Sequence, residues 1–162
     1  MAKTTTNNIN LNISDKTRYT INNNPDKYIE LNPGDMGITA RLSAVIPKLN
    51  KLIEEYDKLA LNADSETATD DDMLSFNEAY NNIDLQLREA VNYLFDYDIC
   101  SVCASGGSMM DLYDGEFRFS VIINTLIQMY EDTISEEMEK MSKKINKHTA
   151  KYTTQDHQKK KR

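Results

Sequence analysis

The sequence has no tryptophan, only two histidines (His148 and His157), and five glycines and three prolines in 162 residues. No glycine-rich phosphate loop is present, which removes the usual signature of nucleotide binding. No Ser/His/Asp or Cys/His set lies close together in the chain, and an enzyme is not expected. No apolar run approaches the roughly 18 residues of a membrane span. The start, Met1-Ala-Lys-Thr-Thr-Thr-Asn-Asn8, lacks the apolar stretch of a secretion signal. The two cysteines, Cys100 and Cys103, are therefore expected as free thiols in a reducing compartment. These absences point to a protein that works by touching other proteins.

What is present is acidic and moderately apolar. Apolar residues make up 40% and the mean hydropathy is -0.63, enough for one domain with a modest core. The net charge of -7 is unevenly placed. From Ala63 to Asp98 there are ten acids against the single base Arg88; from Glu139 to Arg162 there are nine Lys/Arg against Glu139 and Asp156. Such a split serves solubility first, and it also permits partner docking or head-to-tail self-association.

The pattern predicts a mainly α (α+β) fold. Residues 1–8 read as disordered, small and polar. Ile9, Leu11 and Ile13 alternate with asparagines as in a strand, Ser14-Asp15-Lys16 reads as a turn, and Arg18–Ile21 as a returning strand. Asn22–Asp26 reads as a loop and Tyr28–Leu31 as a third extended piece. The resulting hairpin or three-stranded sheet (9–31) needs a helix to pack on.

Asn32-Pro-Gly-Asp35 carries helix-start chemistry: a capping side chain, proline for the first helical position, and an acid for the positive helix end. Ile38, Leu42, Val45, Ile46, Leu49, Leu52, Ile53, Tyr56 and Leu59 then form one face, with Pro47 predicted to kink it. After a polar linker (62–69), Asp70-Asp-Asp72 opens a second helix. Its stripe is Met73, Phe76, Tyr80, Ile83, Leu87, Val91 and Leu94. Periodicity is lost between Asp96 and Gly115, predicting a loop in which Ser108 caps a short turn. A last helix is predicted from about Glu116 to Lys147, about 48 Å long. Its stripe is Ile123, Ile127, Tyr130, Ile134, Met138, Met141 and Ile145, which approaches a heptad seam. Glu136, Glu137 and Glu139 precede Lys140, Lys143 and Lys144 at pairing distance along the helix. The whole reads as a single mostly helical domain over 9–150, with a disordered basic tail at 151–162.

Each chemically suggestive cluster has a plainer reading. Cys100-Ser-Val-Cys103 has the CxxC spacing of a zinc half-site or redox pair, but a structural zinc site needs four ligands and the histidines lie far downstream. Incidental loop cysteines are the better reading, with no metal or cofactor expected. Asp70–Asp72 lacks the glycine and closing glutamate of a calcium loop and suits a helix N-terminus. The Lys159–Arg162 tail lacks aromatic interleaving in an acidic chain, so nucleic acid is not an expected partner.

The long last helix exceeds what a small domain needs. Its first half is expected to be core and its second half, from about Ile134, an interaction arm. The candidate partner-binding residues are Met129, Ile134, Met138, Met141 and Ile145. Methionines adapt to partners of variable shape, though core packing is the favoured reading of each one.

In segment order the chain resembles the tail assembly chaperones of siphophages and prophages of low-GC Gram-positive (Firmicutes) hosts. The resemblance is carried by Glu30-Leu-Asn-Pro-Gly-Asp35 followed by Ile38-Thr-Ala-Arg-Leu42. It continues in Tyr93-Leu-Phe-Asp-Tyr-Asp-Ile99 before Ala104-Ser-Gly-Gly107, and in the final helix ending in Lys151-Tyr152. The chain departs where a Phe-Gly pair is common in the family: it has Ile99-Cys-Ser-Val-Cys103. The stretch from Asn62 to Asp72 is longer and more acidic.

The resemblance implies a chaperone that binds and solubilises the tape measure protein and helps recruit major tail (tube) protein subunits. It implies the host bacterial cytoplasm and absence from the mature virion. It also implies a longer frameshifted product, for which Gln158-Lys-Lys-Lys-Arg162 would suit a slippery run. The alternative is a virion structural protein, such as a head–tail connector or minor tail component.

Overall fold

A computed structural model describes residues 4–11, 13, 16–63 and 66–159, with side chains described as far as Lys147. The first regular element is a hairpin of β1 (Thr17–Ile21) and β2 (Asn24–Leu31). Its turn is Asn22-Asn23, both at positive φ (51° and 57°). Turns of that hand follow the twist of the strands, and asparagine tolerates them. The pairing is Thr20 with Tyr28 but Ile21 with Asn24, so Pro25, Asp26 and Lys27 bulge out. A bulge suits proline, which has no N–H to give to the ladder. The predicted loop at Asn22–Asp26 is thus a two-residue turn and the start of β2. Ile29 and Leu31 alternate inward and are fully buried.

The three-stranded alternative is not formed. Ile9, Leu11 and Ile13 lie in irregular chain at 79%, 71% and 70% exposure. Alternation yields a strand only where a core face is open to it, and Ile29 and Leu31 already fill the hairpin's inner face. The turn expected at Ser14-Asp15 falls outside the described residues.

The first helix, α1 (Ile38–Ala63), starts later than the capping chemistry of Asn32 predicts. Asn32 instead closes a turn: its carbonyl accepts the Asp35 N–H at 3.1 Å and its side chain accepts the Gly34 N–H at 3.2 Å. Asp35 Oδ1 then accepts the Gly37 N–H at 2.8 Å. Local side-chain bonds of this kind compete with helix and delay it. Pro47 is exposed and lies inside α1, which continues through it as a single helix.

The second helix, α2 (Asp70–Phe95), has the start its acids predict. Thr69 and Asp72 form a reciprocal capping box, with Thr69 Oγ1 accepting the Asp72 N–H and Asp72 Oδ2 accepting the Thr69 N–H. Of its predicted stripe, Ile83, Leu87, Val91 and Leu94 are buried, while Met73 is exposed. The interval predicted as loop contains α3 (Ile99–Cys103) and the first strand of a minimal hairpin, β3 (Leu112–Tyr113), whose second strand β4 (Glu116–Phe117) takes the first two residues expected of the last helix. Asp98 caps α3 by accepting the Ser101 N–H at 3.3 Å. The last helix, α4 (Arg118–Lys159), extends twelve residues beyond the predicted end at Lys147, into the segment expected as a disordered tail. Lys160–Arg162 lie outside the described residues.

The core joins Val45, Leu49 and Leu52 of α1 to the α2 stripe. Ile29 and Leu31 of β2, Ile99 and Cys100 of α3, and Met109 pack with them. From α4 it takes Phe119, Ile123, Leu126 and Tyr130. The fold is therefore mainly helical, with a two-stranded N-terminal sheet and a long C-terminal helix. Among the described residues no helix is long and apolar enough to cross a membrane.

Candidate partner-binding groove

The base of α4 is held to α2 by a polar cluster around Asp84. Asp84 Oδ1 accepts the Met109 N–H at 2.6 Å and the Ser108 hydroxyl at 3.0 Å, and Oδ2 accepts Arg88 Nε at 2.8 Å. Arg88 also donates to the carbonyls of Ala104 and Gly107, and the Tyr80 hydroxyl donates to Ser108 Oγ at 2.8 Å. Burial pushes the Asp84 carboxyl up, but Arg88, the Met109 amide and Ser108 outweigh it, so the group sits below its ordinary 3.8. The loop held this way feeds α4 directly. Met109 and Asp111 carbonyls accept the Phe119 and Arg118 N–H groups at 3.0 and 2.7 Å. Ser108 does turn the chain as predicted: its carbonyl accepts the Asp111 N–H at 3.3 Å.

The segment that leads into α1 is fixed from the other side. Arg41 pairs with Asp35 at 2.6 Å and donates Nε to the Leu94 carbonyl at the end of α2 at 2.8 Å. The Arg41 hydrogen bond holds the Asp35 carboxyl below its ordinary range. Beside it Tyr130 is buried against Phe95, ring centroids 6.0 Å apart, and burial pushes its hydroxyl up to about 12.

Between these fixed pieces runs an apolar groove. Its inner part, about 520 Å³, is lined by Ile38 and Leu42 from α1 and by Ile127, Tyr130, Ile134 and Met138 from α4, with the polar Thr39, Glu131 and Ser135 among them. Its outer part, also about 520 Å³, is lined by Gly34, Met36, Ile134, Glu137, Met138 and Met141. Ile134 and Met138 belong to both, so the two parts adjoin. Met36, Met138 and Met141 are 61%, 51% and 53% exposed, large apolar surface left to water. Along this part of α4 run the Glu137–Lys140 and Glu139–Lys143 ion pairs, at 2.6 and 2.7 Å, with Glu137 at the groove.

The predicted partner-binding residues therefore separate. Ile134, Met138 and Met141 share the groove. Ile145 lies further out on α4, exposed at 56%, and does not line it. Met129 is partly buried against the core, on a different side of α4. The favoured core reading holds for Met129 and is corrected for Met138 and Met141. These lie beyond the last core residue that α1 and α2 can reach. Sequence pattern missed the opposite wall, Met36, Ile38 and Leu42. Met36 sits in a turn segment with no periodicity to mark it.

The cysteines offer no activated thiol. Cys100 is buried beside Met109, its thiol 3.6 Å from the Arg88 carbonyl and pushed by burial up to about 12. Burial also raises Cys103. A redox pair or thiolate ligand needs the opposite shift. No group of three or more His, Cys, Asp or Glu side chains among the described residues is arranged to hold a metal ion. Asp70–Asp72 occupy the first turn of α2, where Asp72 is engaged in the capping box.

No family model, curated protein or solved structure matches the chain.

Proposed function

We propose that the protein is a phage tail assembly chaperone that shields an amphipathic helix of the tape measure protein while tube subunits are recruited. One observation carries this reading. A continuous apolar groove, rimmed by flexible methionines, lies between α4 and the segment leading into α1. A helix laid in such a groove buries its anchors at i, i+3/i+4 spacing, and methionine repacks around anchors of different shape. The rigid walls come from the Asp35–Arg41 and Asp84–Arg88 clusters, so the groove is formed before a client arrives. The segment order that resembles these chaperones agrees with this use.

The test is co-expression of the protein with a helical segment of the tape measure protein encoded beside it. Met138→Glu and Met141→Glu place a carboxylate in the groove. Each side chain is about half exposed, so the folded protein should lose little stability. Burying the remaining half of both on a client is worth about 2 kcal/mol in all, and an unpaired charge adds to the loss. The expected result is a client that precipitates with either variant while the variant keeps its helical circular dichroism. A client kept soluble by the double variant refutes the groove as the site. Presence of the protein in purified particles would favour a virion component instead.

A further inference from the structure

We infer that α4 also pairs with α4 of a second copy, antiparallel, through its outer stripe. The apolar residues Ile134, Met138, Met141 and Ile145, the last three exposed and Ile134 partly buried against the core, are arranged symmetrically about the bond between Glu139 and Lys140. Reversing the helix about that point sets Ile134 against Ile145 of the second copy and Met138 against Met141 of the second copy. The spacings of 4, 3 and 4 make these a seam of the coiled-coil kind, in which antiparallel layers pair one type of seam position with the other.

The charges change sign at the same point. Residues 131–139 hold five acids and no base, and residues 140–147 hold four lysines and no acid. Antiparallel pairing sets the acidic half of one helix against the lysine half of the other; parallel pairing sets like halves together. Glu137 and Lys144 flank the seam on one side, so each meets the other's counterpart twice by symmetry. The existing Glu137–Lys140 pair is exposed and offers little resistance to this exchange. The Met141–Ile145 end of the seam lies beyond the core, and Met36 beside Met138 widens the apolar strip that a second helix would cover.

The inference concerns the chain alone and holds or fails without any client. The second copy covers the stripe that the proposed client would use, so client binding and self-pairing compete. Sedimentation velocity of the full chain should show mass rising toward a dimer with concentration, less so at high salt. Glu137→Lys or Lys144→Glu, each at an exposed site, should weaken the dimer about tenfold by turning two attractions into repulsions. The double exchange Glu137→Lys/Lys144→Glu should restore it, and so should mixing the two single variants. Circular dichroism checks that each variant keeps its helix. A chain that stays monomeric, a dimer indifferent to the single changes, or one that neither the double exchange nor the mixture restores would overturn the antiparallel pairing.

Discussion

Asp84→Ala tests whether one carboxylate holds the base of α4. The substitution leaves the Met109 amide, beneath a fully buried side chain, without its 2.6 Å acceptor. An orphaned donor of this kind costs about 1–3 kcal/mol. The Arg88 pair adds about 1 kcal/mol, discounted because both side chains keep some solvent contact and Arg88 retains the Ala104 and Gly107 carbonyls. The Ser108 hydroxyl still has Tyr80 and contributes little more. The sum is about 3 kcal/mol, a sizeable part of an ordinary domain's 5–15 kcal/mol. Urea unfolding of wild type and variant, followed by circular dichroism, measures it. The pH dependence supplies a second check. The folded Asp84 carboxyl lies below its unfolded value of 3.8, so its contribution is complete above that value and is lost as pH falls through the folded one. The gap between the two proteins should therefore be constant near neutral pH and narrow in acid below about pH 4 by the part that depends on the carboxylate charge. A difference under about 1 kcal/mol would refute the view that this cluster anchors the loop.

Two local predictions follow from the helices. Thr69→Ala removes the side chain that accepts the Asp72 N–H and should cost about 1 kcal/mol, seen as an earlier urea midpoint. Pro47→Ala, at an exposed site within α1, restores a backbone donor to the Ser43 carbonyl and should stabilise the fold by about 1–3 kcal/mol, seen as a higher melting temperature.

The sequence was most readable where the causes are local. The acidic start of α2 at Asp70–Asp72, the buried run Ile83, Leu87, Val91 and Leu94, and the ion pairs along α4 all act within a few residues. Reading failed where the partner is distant. Ile9, Leu11 and Ile13 have the alternation of a strand but no open face to pack on. The Asn22-Asn23 turn was a usable hairpin signal, but it was absorbed into a longer loop. The Asp84 cluster joins residues 24 and 25 positions apart, and no pattern in α2 marks Asp84 from its neighbouring acids. The outer wall of the groove was hidden for the same reason, since Met36 meets α4 only through the fold.

The outer stripe of α4 also bears on why the groove exists at all. Core packing selects apolar residues at Ile123, Leu126 and Tyr130, because replacing them with polar groups would unfold the domain. It exerts little such selection at Met138, Met141 or Ile145, where about half of each side chain already faces water. Polar residues there would keep the helix and improve solubility. Folding of the single chain therefore gives no reason for the heptad-like spacing to continue beyond Tyr130 as far as Ile145. A surface that is meant to be covered does give one. It also accounts for the change of charge sign at the middle of that same stripe, which intrahelical pairing alone would not centre there. Under the two proposals, shielding a client and pairing with a second copy would be two uses of one strip, with the occupant set by which is in excess.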